Sequence, residues 1–134
     1  ITGEPIRDWK AHATSVNAIT YDPAGHRILS GGRDAHLNSW DSVTGSLIRS
    51  IPAHNYAIYS IVFSPDRRTV ATGSRDKTVK LWDAESLDIR LRIDRENFDG
   101  HRNSVNKLVW LEHADRIVST GDDRAVMVWA PAYE

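Results

Sequence analysis

Three times in this 134-residue chain an Asp is followed six positions later by a Trp: Asp34 and Trp40, Asp76 and Trp82, Asp123 and Trp129. A His stands 22 residues before each Asp and 28 before each Trp, at His12, His54 and His101. The offset is 42 residues between the first two copies and 47 between the last two, so five residues are inserted once, between Ile93 and His101. A period of this length marks stacked supersecondary units, each too small to bury its own apolar face and completed by its neighbour.

Within each unit, short apolar runs alternate with turn-forming residues, and no 3.6-residue periodicity lasts long enough for a helix. The expected fold class is therefore all-β. The first run of each unit carries Val16, Ile19 and Tyr21, then Ile58, Ile61 and Phe63, then Val105, Leu108 and Trp110. Because Tyr21, Phe63 and Trp110 recur in one register, they are expected in the core. "DPAG" and "SPDRR" supply turns in which proline fixes a dihedral. A second run follows (Ile28 and Leu29, Val70 and Ala71, Ile117 and Val118), then a tight turn containing the Asp, then a third run ending at the Trp. The fourth, "SLIRSI" or "LDIRLRI", alternates apolar with polar, and Arg90 and Arg92 read as outward charges guarding an edge strand.

Composition narrows the function classes. Length allows one domain with a single core. With 17 Lys and Arg against 18 Asp and Glu, the formal net charge is −1. No global attraction to nucleic acid or to an anionic membrane is expected. No cysteine is present, which excludes disulfides, thiolate metal sites and cysteine nucleophiles and makes a cytoplasmic location the default expectation. No apolar run is long enough to span a bilayer, and "ITGEPIRDWK" lacks the basic and apolar regions of a signal peptide. A soluble chain is expected.

Recurring His, Ser and Asp invite comparison with a hydrolase triad. A triad needs an exposed nucleophile beside an oxyanion hole and is needed once, whereas three copies each coupled to a Trp suit a structural network. His26, His36 and His113 lack metal-ligand spacing, and neither "ITGEPI" nor "SGGRD" has the ending or the following helix of a phosphate loop. No catalytic residue, metal or cofactor is expected.

The "AH" or "GH" that opens each unit, the Asp turn, and the dipeptides Trp40-Asp41 and Trp82-Asp83 together resemble WD40 repeats of β-propellers over essentially the full length. The third unit departs, reading Trp129-Ala130, and "AH" replaces "GH" in the first two. The resemblance implies three four-stranded antiparallel blades in an open arc or part of a closed ring. Residues 1–11 would be an outer strand of a preceding blade, 12–53 the first repeat, 54–100 the second with its inserted loop, and 101–134 a third lacking its outer strand. It also implies a buried hydrogen-bonded chain of four side chains per blade: His12, Ser30, Asp34 and Trp40; His54, Thr72, Asp76 and Trp82; His101, Ser119, Asp123 and Trp129. Their chemistry closes well, since Trp only donates, ionised Asp only accepts, and Ser, Thr and His do both.

By the same resemblance the chain is a non-catalytic interaction scaffold. Protein or peptide partners would dock on the face bearing the Asp turns, against Ser15, Asn17 and Arg33, Ala57, Tyr59 and Arg75, and Ser104, Asn106 and Asp122. Tyr and Arg are enriched at binding hot spots, which favours Tyr59, Arg33 and Arg75. The inserted "DRENFDG", Asp94 to Gly100, should project from this face, with Phe98 either a loop anchor or an exposed contact. Thr2, Gly3, Ile6 and Arg7 match Thr44, Gly45, Ile48 and Arg49 at an offset of 42, so the chain is expected to begin with an outer strand and end after a third one. Propellers close with more blades than three. Either the missing blades belong to a longer chain, or copies associate head to tail and close a ring through edges near Ile6 and Trp129. In the second case the chain would be a structural assembly subunit.

Overall fold

The computed structural model describes residues 2–22 and 24–131. Among them run eleven strands: β1 (Val16–Asp22), β2 (Arg27–Gly32), β3 (His36–Asp41), β4 (Leu47–Pro52), β5 (Ile58–Phe63), β6 (Thr69–Ser74), β7 (Val79–Asp83), β8 (Ile89–Ile93), β9 (Val105–Leu111), β10 (Arg116–Gly121) and β11 (Val126–Trp129). One short helix, α1 (Arg95–Phe98), lies in the insertion. The strands form three antiparallel meanders, β1-β2-β3-β4, β5-β6-β7-β8 and β9-β10-β11, with the inner strands β1, β5 and β9 side by side.

Turn chemistry explains why the chain reverses where it does. Between the second and third strands of each sheet, Ala35, Lys77 and Arg124 take left-handed backbone angles (φ 66°, 75° and 63°). Each returns its N–H to the carbonyl three residues earlier, at Gly32, Ser74 and Gly121. The Asp that follows the Trp has its own task. Asp41 Oδ1 accepts N–H bonds from Val43 (2.9 Å) and Thr44 (2.8 Å), and Asp83 Oδ1 accepts them from Glu85 (3.0 Å) and Ser86 (2.9 Å). These side-chain-closed turns launch β4 and β8. Ala130 follows Trp129 in the third unit and, having no side-chain oxygen, cannot accept such bonds.

Packing between sheets supplies the core. Leu29, Leu37, Ile58, Ile61, Phe63, Val70 and Trp82 close one cluster between the first and second sheets. Val79, Leu81, Val105, Leu108, Trp110 and Ile117 close a second between the second and third. Two glycines at equivalent positions set how closely the sheets approach. A Cβ on Gly31 would lie 2.6 Å from Ile58 Cγ2, and one on Gly73 2.8 Å from Val105 Cγ1. A methyl at either place would force adjacent sheets apart.

Two sequence expectations need correction. Residues 2–11 form no strand where an outer strand was expected, and among the described residues the third sheet has three strands. A strand exists only by pairing, and β4 already holds the outer position of the first sheet. The segment instead lies against that sheet: Trp9 packs on Trp40 with ring centroids 5.6 Å apart, and Asn38 Nδ2 donates to the Ala11 carbonyl at 2.8 Å. Tyr21, expected in the core, is 49% exposed, while Phe63 and Trp110 are buried. Residues at this register face the preceding sheet, and no described sheet precedes the first. Ile19 on the same face is exposed for the same reason, and Val126 and Val128, whose register in the second sheet (Val79 and Leu81) packs against the next sheet, are exposed because no described sheet follows the third.

Ser39 is a local flaw in the first sheet. It is buried where the second sheet has Leu81, and its hydroxyl makes no hydrogen bond. An unsatisfied buried hydroxyl costs about 1–3 kcal/mol. Ser39→Ala is therefore expected to leave thermal stability unchanged or raise it by up to about 1 kcal/mol; a lower melting temperature in differential scanning calorimetry would show that the hydroxyl does have a partner.

Candidate partner-binding face and the hydrogen-bonded chain beneath it

In every sheet the indole N–H of the third-strand Trp donates to a second-strand hydroxyl, at 2.9 Å in all three: Trp40 to Ser30, Trp82 to Thr72, Trp129 to Ser119. The hydroxyls meet His Nε2 at 2.8 Å (Ser30 and His12), 2.7 Å (Thr72 and His54) and 2.7 Å (Ser119 and His101). His Nδ1 lies 2.9 Å from Asp34 Oδ1, 2.8 Å from Asp76 Oδ2 and 3.0 Å from Asp123. The proton order follows. Trp must donate, so the hydroxyl gives its own proton to Nε2, and a neutral imidazole carries its proton on Nδ1 toward the carboxylate. All three imidazoles are fully enclosed, with 0% side-chain exposure.

The carboxylate at the end of this chain organises the loops around it. Asp34, Asp76 and Asp123 each accept the N–H of the residue after the His, from Ala13 (3.1 Å), Asn55 (3.1 Å) and Arg102 (2.9 Å). Each also accepts the N–H two residues further along, from His36, Thr78 and Ala125. The second sheet differs in detail. Ser74 occupies the position of Gly32 and Gly121, where a Cβ would lie 2.7 Å from the ring of His12 or of His101. There Ser74 Oγ donates to the Ala57 carbonyl and accepts the Asp76 N–H, and Thr78 Oγ1 donates to Asp76 Oδ1 at 2.6 Å. Burial opposes the charge on Asp76, yet the bonds from His54 and Thr78 outweigh it and hold its carboxyl far below the usual carboxylate range. Burial also lowers His54 below the ordinary histidine value, against the pull of Asp76.

Above this frame lie the residues that the resemblance places on the docking face. A backbone bond of 2.9–3.0 Å repeats in all three sheets, from Arg33 N to Ser15 O, Arg75 N to Ala57 O and Asp122 N to Ser104 O. It brings the Asp turn beside the loop that enters the inner strand. Ser15, Asn17, Arg33, Arg75, Asn106 and Asp122 are exposed there, and Tyr59 and Ser104 are half-buried. Ala57 is a correction: it is buried, and it serves the face through its carbonyl, which holds Arg75 and Ser74. Asn106 Nδ2 donates to Asp122 Oδ1 at 2.6 Å.

Several contributors to this region carry no repeated signal in the sequence. Asn38 and Lys80 share a register two residues before the Trp, and each reaches back to the carbonyl ahead of the His, at Ala11 and Ala53. They differ in residue type and share only donor capacity, the one signal that could have found them. Tyr56, 58% exposed, lies under the Arg75 guanidinium, 5.6 Å from its ring centroid. The insertion is a built turn. Asp94 caps α1 by accepting the Asn97 N–H, Asn97 Oδ1 accepts the Asp94 N–H, and Asn97 Nδ2 donates to the Arg92 carbonyl. Phe98 is 49% exposed, an outward side chain.

Three open meanders side by side, each tied by a Trp-to-Asp chain, define a set of β-propeller blades. The family profile described as "WD domain, G-beta repeat" matches residues 3–41, 45–83 and 94–130, and the chain belongs to this WD40 family. It is 31% identical over 124 residues to pre-mRNA-processing factor 17 of Homo sapiens, and equally to that of Mus musculus, covering 92% of this chain and 21% of each relative. The chain thus spans about a fifth of the length of these relatives. Among solved structures, those described as "Structure of U3-55K" and "Crystal structure of RRP9 WD40 repeats" superpose with TM-scores of 0.83 at 25% identity, covering 93% of this chain and 39% of theirs.

Two outcomes test the frame. Thr72→Ala removes the acceptor of Trp82 and the donor to His54 together, and is expected to cost roughly 1–3 kcal/mol in urea unfolding with the fold retained. Acid should weaken the fold in two stages. The folded state binds less proton than the unfolded at both groups. The His54 contribution is therefore full above pH 6.5 and lost as pH falls below it, and the Asp76 contribution is lost below 3.8. A melting temperature that rises on acidification from pH 7 to pH 5 would contradict this sign.

Proposed function

We propose that the chain is a non-catalytic protein-interaction scaffold that binds protein or peptide partners through the Asp-turn face. One observation carries the reading. The three loops are fixed by the same repeated hydrogen bonds, while the side chains they present differ: Ser15, Ala57 and Ser104; Asn17, Tyr59 and Asn106; Arg33, Arg75 and Asp122. A constant frame with variable contacts suits recognition. The candidate nucleophiles Ser30, Thr72 and Ser119 are buried, and each hydroxyl is engaged by an indole and an imidazole, which supports a structural role for them. The relatives named for pre-mRNA processing support a place in an RNA-processing assembly as readily as the cytoplasmic site suggested by composition.

A second reading rests on the ends of the arc. β11 pairs on one side only, and Ile19, Tyr21, Val126 and Val128 are exposed on outward sheet faces. These surfaces suit further blades, from the rest of a longer chain or from a second copy.

Combined Arg33→Ala, Tyr59→Ala and Arg75→Ala substitution separates the two. The scaffold reading expects proximity labelling in cells to lose partners relative to the parent chain, with solution mass by light scattering unchanged. An unchanged set of labelled partners would remove the Asp-turn face from consideration. Esterase or protease activity abolished by Ser30→Ala would overturn the non-catalytic assignment.

A further inference from the structure

The Asp-turn face and the opposite face handle charge differently. Every tetrad Asp is bracketed by the residues on either side of it in sequence, and those residues point outward where they are basic. Arg75 and Lys77 flank Asp76, Arg33 precedes Asp34, Arg124 follows Asp123, and Arg102 follows the third tetrad His. All five are exposed, and none forms an ion pair among the described residues. Most of the acids that share this end are already occupied, Glu96 of α1 being exposed without an ion pair among the described residues. The tetrad carboxylates turn inward, with side-chain exposures of 16%, 5% and 8%, and each spends its lone pairs on an imidazole and backbone N–H groups. Asp122 is held by Asn106, Asp94 by Arg92 and Asp99 by Arg95.

At the opposite end two arginines are ion-paired, and Arg67 and Arg68, exposed without an ion pair among the described residues, lie among exposed acids. Arg27 pairs with Asp22 and donates to the Ala84 carbonyl, and Arg90 pairs with Asp83. Asp66, Glu85, Glu112 and Asp115 add exposed acid to that side. The chain as a whole carries −1, so the unpaired basic layer on one face is a local feature that the net charge conceals.

From this segregation we infer that the partner of the Asp-turn face presents an acidic peptide segment, whose carboxylates bridge Arg33, Arg75, Lys77, Arg102 and Arg124. This inference rests on the scaffold reading and names the chemistry of its partner. Carboxylates match because guanidinium groups offer paired donors to them. A short peptide fits better than a nucleic acid strand for two reasons. The markedly exposed Tyr of this face among the described residues, Tyr56, already has the Arg75 guanidinium over its ring, so it offers no open platform for a base. The inward carboxylates beneath and the acidic far side also weaken the long-range pull that a polyanion requires.

Fluorescence anisotropy with labelled random peptide pools of equal length tests this: one acidic, one neutral, one basic, beside a single-stranded RNA oligonucleotide. The acidic pool should bind best, with affinity falling as salt rises toward about 0.15 M. Arg75→Glu with Lys77→Glu and Arg124→Glu should lower that affinity by about tenfold or more, while Arg67→Glu with Arg68→Glu on the far side should not. Far-UV circular dichroism on each variant confirms that the fold is intact. Preference for the neutral or basic pool overturns the acidic partner and leaves the scaffold reading standing. Preference for RNA, or binding of no pool at all, overturns both. Acidic binding lost equally in the two charge-reversed variants means nonspecific attraction and overturns the site.

Discussion

A neutral imidazole that accepts at Nε2 and donates from Nδ1 is the hinge on which each blade turns. Through it, the indole N–H of the third strand, the hydroxyl of the second and the carboxylate of the turn share one line of protons, with 2.7–3.0 Å at the links from Trp82 to Asp76 and from Trp129 to Asp123. Low surrounding dielectric makes such a chain stronger when complete and costly when broken. Because the carboxylate also takes two backbone N–H groups, the same few bonds fix both the sheet edge and the loop entering it. Loop geometry is thus a product of the core.

Sheet-to-sheet contact depends on absence of bulk as much as on apolar mass. Gly31 and Gly73 let the inner strand of the next blade approach to van der Waals distance, and large residues such as Ile58, Leu108 and Trp110 fill what remains. The direction of packing is uniform. The side chains of Ile61, Phe63, Leu108 and Trp110 all look back toward the preceding sheet, and this explains why Ile19 and Tyr21, in the same register of the first, are left bare.

The fold class, the three units and their His, Asp and Trp were legible because they repeat, at offsets of 42 and 47, while the hydroxyl and the linkage that complete each four-residue set came from the resemblance to WD40 repeats. What the sequence hid is what repeats in function but not in letter. Asn38 and Lys80 do one job with different side chains, and Ser74 does with its hydroxyl what the glycines at its register achieve by leaving room. Asp41 and Asp83 could be seen but their task could not, since a turn closed by a side chain reads the same as a solvated acid. Strand pairing was the harder matter. Thr2, Gly3, Ile6 and Arg7 match an outer strand letter for letter, yet a strand is a relation between two segments and needs an open edge to exist. Tyr21 failed as a core residue on the same ground, because burial belongs to the neighbour as well as to the residue.

The insertion between Ile93 and His101 obtains its hydrogen bonds from itself and from the strand it leaves. Asp94 and Asn97 cap one another, Gly100 N bonds to the Asp94 carbonyl, and no residue of α1 is buried. Its internal order draws nothing from either apolar cluster. Sequence drift in Arg95, Glu96 and Phe98 is therefore nearly free of folding cost, and this segment can diversify among descendants of the chain while Asp94, Asn97 and Gly100 stay fixed. A surface so decoupled is where a new specificity could arise without first destabilising the scaffold that bears it.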